Sequence, residues 1–282
     1  MKYLLHINDI CTIFRRKNKD VFTLPIVAAI QLHSKPNQAT ENFNTAVKMV
    51  KLAAAQGAQL VALPELWECG YYLSKEEFEL LGEHKKGPTI SSFQMLAKKL
   101  DIVLVVPFIE KGKKDLFIST AVIEKTGDLL TCYRKSFLWG REKEIFLPGE
   151  RKYEAIQTSA GKIGILICYD MEFPEPSRQL ALQGVQLIIA PSVWSIPAEP
   201  RWDIQLPARA LDNTVFVLGV NTVFEGSCGK SKLVGPDGKV LAEAPRDEPF
   251  ILIHKMDFSV IEEVRKRIPY LEDFNRTTFA KG

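Results

Sequence analysis

Histidine is scarce in this 282-residue chain: there are four, at His6, His33, His84 and His254, with none between residues 85 and 253. An imidazole is the usual base for a serine or cysteine nucleophile. A nucleophile in that long interval therefore needs another base, and His33 is the one histidine with a plausible route to it. Cysteine is sparse as well. The five residues Cys11, Cys69, Cys132, Cys168 and Cys228 are odd in number, widely spaced and contain no C-x-x-C pair. That excludes a disulfide framework and a zinc site of ordinary spacing, and it suits a reducing compartment, so a cytoplasmic protein is expected. No apolar run is long enough to span a bilayer, and a net charge of +3 without a basic stripe gives nucleic acid no footprint. Neither a membrane nor a nucleic acid is expected as a partner.

Repeats, low-complexity tracts and linkers are also missing, which favours one domain over residues 25–282. Residues 1–24 read as an N-terminal extension. Their apolar stretch is broken by His6, Asn8 and Asp9, no small-residue cleavage site follows, and Arg15, Arg16, Lys17 and Lys19 form a short solvated cluster.

What is present is a mixture of periods. Short β-branched runs predict buried strands over 26–31, 60–63, 102–109, 116–123, 129–133, 162–167, 185–190 and 214–220. Shorter strands are expected over 153–157, 231–234, 240–242 and 250–253. Apolar residues on one helical stripe predict a helix over 37–56, closed by Gly57. Further helices are expected over 75–81, 91–100, 204–212 and 259–267, and one opens near Pro174 and Pro176 and ends at Gly184. Residues 134–150 lack clean periodicity and read as a long loop or short helical turn. Hairpin turns at 125–128 and 236–238 mix with helix-separated strands, which does not suit a purely parallel sheet. Two packed sheets with helices outside would bury both kinds of strand.

Three buried strands deliver a polar residue into a loop: Glu65 after residues 60–63, Lys135 after 129–133 and Cys168 after 162–167. If the strands are neighbours, their ends converge. A buried carboxylate can replace histidine as base when burial raises its pKa toward neutrality, and an ammonium can hold an oxyanion and favour a thiolate. Cys168 sits where a strand hands over to a helix, whose N-terminal potential also favours a thiolate. Read singly, each has an ordinary alternative. Cys168 is equally a small buried hydrophobe, Glu65 a capping or surface carboxylate, and Lys135 a solvated lysine.

Read together, they fall in three blocks: PELWECGY at 64–71, YRKSFLWGREKEIFLPG at 133–149 and GILICYDMEFPE at 164–175. These resemble the signature blocks of the nitrilase, or carbon-nitrogen hydrolase, superfamily. The resemblance extends from about Leu24 to the C-terminus, through ARALDN at 208–213 and GPDGKVLAEA at 235–244. It implies an α+β fold, a single-domain four-layer α-β-β-α sandwich, assembled as a homodimer or higher homo-oligomer. It implies Cys168 as nucleophile, Glu65 as general base, Lys135 as oxyanion stabiliser, Glu142 as a second glutamate, and the Tyr169 backbone N–H as a further oxyanion donor. No metal or organic cofactor is implied. The expected reaction is hydrolysis of a small, linear carboxamide through a thioester, releasing ammonia or an amine. The same triad also serves N-carbamoyl compounds and nitriles, and a non-catalytic binding member of the fold is the alternative of another class. Trp67, Tyr71, Trp139, Val193 and Trp194 are candidate substrate contacts, and their largely aromatic character suggests a small amide with an apolar or modest acyl group; no arginine cluster marks a carboxylate-bearing substrate, for which Arg141, Arg178 and Arg201 are the residues left open. The sequence departs from the common pattern at Phe137, where many relatives carry a histidine, and has Tyr169-Asp170-Met171-Glu172 after the cysteine where carbamoylputrescine-type amidases start with tryptophan-aspartate.

Overall fold

The computed structural model describes residues 24–224 and 226–276, so residues 1–23 of the expected extension lie outside the described residues. The first half of the chain lays down β1 (Ile26–Gln31), α1 (Ala39–Ala55), β2 (Leu60–Ala62), α2 (Lys75–Leu81), α3 (Pro88–Leu100) and β3 (Val103–Lys111). The hairpin strands β4 (Leu116–Ile123) and β5 (Leu129–Arg134) follow, and then the short helix α4 (Glu142–Ile145). The second half gives β6 (Ile156–Thr158), β7 (Gly161–Ile165), α5 (Pro174–Leu182), β8 (Leu187–Pro191), α6 (Glu199–Asn213) and β9 (Phe216–Val220). It continues through β10 (Lys232–Val234), β11 (Val240–Glu243), β12 (Phe250–Lys255), α7 (Ser259–Arg267) and α8 (Tyr270–Arg276).

Two six-stranded sheets result, in the orders β12-β1-β2-β3-β4-β5 and β11-β10-β9-β8-β7-β6. Each contains three parallel strands followed by two antiparallel ones, with one more antiparallel strand on the far edge. The far-edge strand of the second sheet is its own β6, whereas β1 receives β12 from the end of the chain.

Both faces of the parallel strands are buried, and their alternation says against what. Val27, Ala29, Leu60, Ala62, Val103 and Val105 pack toward the second sheet in one cluster with Ile163, Leu187 and Leu218. Ala28, Ile30, Val61, Leu104 and Val106 face the other way, onto Ala46 and Val50 of α1 and Ile90 and Phe93 of α3. Leu180 of α5 and Leu206 and Ala210 of α6 cover the second sheet. The layers therefore run helix, sheet, sheet, helix. Among the described residues no helix is long and apolar enough to cross a membrane.

Element boundaries moved for local reasons. α1 starts at Ala39 because Asn37 takes φ +59°, and Asn42 both accepts from Lys35 N–H and donates to its carbonyl. α3 starts at Pro88, since the carboxylate of Glu83, shortly before it in the chain, accepts the Thr89 and Ile90 N–H groups and caps it from outside. α6 begins at Glu199, before the expected 204, and runs through Pro207. β9 waits until Phe216 because Thr214 closes α6 at φ +48°.

Candidate active site

Strand geometry brings the three candidate groups to one place, though by a different route from neighbouring strands. β2 and β5 run in the same direction with β3 and β4 between them, and β7 belongs to the other sheet. Glu65 follows β2 just before Leu66, whose φ of +49° reverses the chain. Lys135 is pinned at both backbone groups, donating to Ile118 O at 2.8 Å and accepting from Gly149 N at 2.8 Å. Cys168 opens a 3-10 turn, Cys168–Glu172, with φ +49°. The regular helix α5 begins only at Pro174, so the thiol does not sit on an α-helix N-terminus as the sequence pattern suggested.

The Lys135 ammonium lies 2.7 Å from Glu65 Oε1 and 2.9 Å from the Glu142 carboxylate. Lys135 and Glu65 have no solvent exposure at all. Glu142 is held in turn by the Trp139 N–H at 2.9 Å. Burial pushes Glu65 up to about 7, a rise that Lys135 opposes and Glu142 reinforces; the Cys168 thiol also acts on this carboxyl. Glu65 Oε2 is buried and has no hydrogen-bond partner among the described residues. Burial also pulls on Lys135, toward losing its proton, but Glu142 and Glu65 outweigh it and hold the ammonium charged well above the ordinary lysine range. For Cys168, burial first and the Glu65 charge second raise the pKa well above that of a free thiol. Both effects oppose the thiolate that a helix N-terminus would favour. Carboxylate, ammonium and thiol together form a proton-accepting site that needs no imidazole; His33 is exposed on a bridge to Val223.

Asp170 belongs to this site and was not singled out from the sequence. Its Oδ1 accepts from Ser136 N, Ser136 Oγ and Phe137 N at 3.2, 2.9 and 2.9 Å. Its Oδ2 accepts from Ile167 N at 2.9 Å and Tyr133 Oη at 2.7 Å. Burial keeps its pKa above the ordinary aspartate value despite these bonds. The Ile167 N–H is a donor that β7 would otherwise use in the ladder, which is why the strand stops at Ile165 rather than 167. The far end of the turn is fixed by Arg209, which donates to the carbonyls of Met171 and Glu172 at 3.1 and 2.8 Å.

A cavity of about 180 Å³ opens over Cys168, walled by Trp139, Tyr169, Val193 and Trp194, with Glu172 and Arg201 at its polar part. Trp67 does not reach it. The chain reversal at Leu66 sends this indole to the outer core, where it packs on Phe43 and Phe93 and donates to Pro107 O at 2.7 Å. Tyr71 lies close enough for its phenol to feel Glu142, Lys135, Glu65 and Cys168, and burial is the main cause of its raised pKa. Arg141 is spent on the carbonyls of Tyr71 and Leu73, and Arg178 stacks on Phe274 away from the cavity. A larger hollow of about 530 Å³ lies between β5 and β6, near Lys85, Arg134 and Lys152, and contains none of the triad. Among the described residues no group of three or more His, Cys, Asp or Glu side chains is placed to hold a metal ion.

Comparison with known proteins agrees with this architecture. A nitrilase of Pyrococcus abyssi is 33% identical over 253 residues, covering 88% of this chain and 94% of the relative. A deaminated glutathione amidase of Mus musculus is 30% identical over 272 residues, covering 88% and 83%. The crystal structure of a carbon-nitrogen hydrolase from Helicobacter pylori G27 superposes with a TM-score of 0.83 at 28% identity, covering 89% of this chain and 95% of that one. Residues 26–266 match the carbon-nitrogen hydrolase family model, and from that match, the two-sheet sandwich and these relatives, the chain belongs to the carbon-nitrogen hydrolase family.

Proposed function

We propose that this chain is an amidase-type hydrolase that cleaves the C–N bond of a small carboxamide through a thioester on Cys168. The observation that carries the reading is the fully buried Lys135 ammonium held between Glu65 and Glu142, with the unpartnered Glu65 oxygen on the carboxyl that the Cys168 thiol acts upon. A base with a pKa of about 7 is half ionised at neutral pH and well matched to both taking and returning a proton.

The steps balance without any further reactant than water. Glu65 takes the thiol proton as Sγ bonds to the amide carbon, and the carbonyl π electrons move to oxygen. Lys135 and the Tyr169 N–H stabilise that oxyanion. The C–N bond then breaks, Glu65 gives its proton to the departing nitrogen, and ammonia or an amine leaves a thioester behind. Water loses a proton to Glu65 as it attacks the thioester. The C–S bond breaks, the proton returns to sulfur and the carboxylic acid departs. Glu142 keeps the ammonium charged and oriented throughout.

The test is ammonia release from a panel of amides, N-carbamoyl compounds and nitriles, with Cys168→Ala as control and mass spectrometry of the trapped acyl adduct. Turnover of amides, lost in the variant, supports the reading. Turnover confined to nitriles or N-carbamoyl compounds moves the substrate assignment while keeping the thiol chemistry. Turnover that survives Cys168→Ala overturns it, and no turnover across the panel favours a binding role.

A further inference from the structure

Two charged side chains share the cavity with Cys168. Glu172 ends the nucleophile turn, and Arg201 is the third residue of α6. The Arg201 Nη1 donates to Glu172 Oε2 at 2.9 Å, and the guanidinium carbon stands 5.3 Å from the ring centroid of Trp139 and 5.7 Å from that of Trp194. The two partners are not equally accessible. The Arg201 side chain is 42% exposed and that of Glu172 only 17%. A ligand entering the cavity therefore meets the cation, with the acid recessed behind it as the group that aims it.

A structural clamp is a poor account of this pair, because both elements it joins are already anchored. Arg209 fixes the carbonyls of Met171 and Glu172. The start of α6 is tied down by Lys230 on Glu199 and Asp203, Lys232 on Asp203, and Arg246 on Glu199. Among the described residues the Arg201 guanidinium makes one hydrogen bond, through Nη1, and its Nε and Nη2 donors have no protein acceptor. Trp194 adds a buried indole Nε1 that also has no partner among the described residues. The two indoles hold the guanidinium by cation–π attraction while its free edge stays available, the edge that would suit a carboxylate.

We propose that Arg201 anchors an acyl-side subsite for a carboxylate, so that the preferred substrates are short amides whose acyl chain carries a second, ionised carboxyl group. The inference rests on the thioester reaction proposed above. Size bounds the length: the cavity of about 180 Å³ is at the small end for a ligand site and suits a short acyl chain. Sign sets the charge. An ammonium-tailed substrate would meet the guanidinium and find the one acid of the cavity wall already neutralised and recessed.

Succinamate, butyramide and 4-aminobutyramide are near-isosteric and differ in the charge at the far end, so their kcat/KM values are the test. Succinamate should exceed butyramide by roughly tenfold to hundredfold, and 4-aminobutyramide should be worst. The preference should shrink in high salt, because the guanidinium is partly exposed. Arg201→Gln should collapse the succinamate-to-butyramide ratio toward one, mainly through the KM for succinamate. Glu172→Gln should raise the ratio, since it removes the competing carboxylate. A mere clamp would make both variants lower all three substrates alike, and that result overturns the subsite. Butyramide equal to or better than succinamate in the unaltered protein overturns it too. Protection of Cys168 against alkylation by succinate, compared with butyrate, reads the subsite without turnover. Failure of hydrolysis with retained succinate protection would sink the reaction and keep the subsite; equal protection by the two acids sinks the subsite.

Discussion

The Tyr133 hydroxyl donates to Asp170 Oδ2 at 2.7 Å, and through that carboxylate the loop bearing Lys135 is joined to the turn bearing Cys168. Five donors converge on Asp170, three from Ser136 and Phe137 and one each from Tyr133 and Ile167. The distance between ammonium and sulfur is therefore set by hydrogen bonds as well as by the sheets.

Asp170→Asn should act on that junction. The carboxamide oxygen can keep the three donors from Ser136 and Phe137, but its NH2 then faces the Ile167 N–H, donor against donor. Leaving a buried N–H unsatisfied costs about 1–3 kcal/mol, readable in urea denaturation. The turnover number should fall at least tenfold with KM changed far less, when rates are normalised to titrated Cys168. Loss of stability at unchanged turnover per thiol would reduce Asp170 to a folding role.

The pH profile has a defined sign. The base form of Glu65 is needed, and burial lifts this group from 4.5 to about 7. Activity, read as kcat/KM, should be low at pH 5, rise through about 7 and stay level above it, since Lys135 keeps its proton well past the ordinary lysine range. Glu142 is one cause of the raised Glu65 value. Glu142→Gln should move the rising limb to lower pH while lowering the plateau. A limb that shifts upward contradicts this assignment.

Lys135→Met removes the one cation between two buried carboxylates. Breaking such a pair from one side destabilises by about 3–5 kcal/mol. Adding Glu65→Gln and Glu142→Gln to the same chain should restore much of the thermal stability with no return of activity. If the triple variant melts below the single one, the coupling is not electrostatic.

Trp67 and Trp139 should separate stability from recognition. Trp67→Ala empties a site in the outer core and strands the Pro107 carbonyl, a loss of about 3–5 kcal/mol, with the ranking of substrates preserved. Trp139 is 47% exposed, so Trp139→Ala should cost under about 1 kcal/mol and raise KM. Denaturation curves and KM values for the same amide check both.

Much of the sandwich was legible because its strands carry their own signal: the run of 116–123 is a strand at its expected bounds, and the helix expected over 259–267 is found there too. Glu65, Lys135, Glu142 and Cys168 were legible from three blocks of motif, and the structure puts all four side by side. What escaped was decided by side-chain-to-backbone contacts that periodicity does not encode. The Ile167 N–H leaves β7 for Asp170, and Glu83 starts α3 early; neither partner can be read from local periodicity. Trp67 misled because a motif gives neighbours in sequence, while a positive φ at Leu66 decides which side of the sheet an indole enters. The burial beside Glu65 that raises the Cys168 pKa is something only coordinates can supply.

The borrowed edge strand of the first sheet sets an order on how the two sheets are completed during synthesis. β6 to β11 are contiguous, so the half that holds the sulfur can pair all its strands from one uninterrupted stretch. β1 keeps one edge open until Phe250–Lys255 emerges from the ribosome. The first sheet thus cannot pair all six of its strands until β12 has been made, whereas the second closes without help from any later segment.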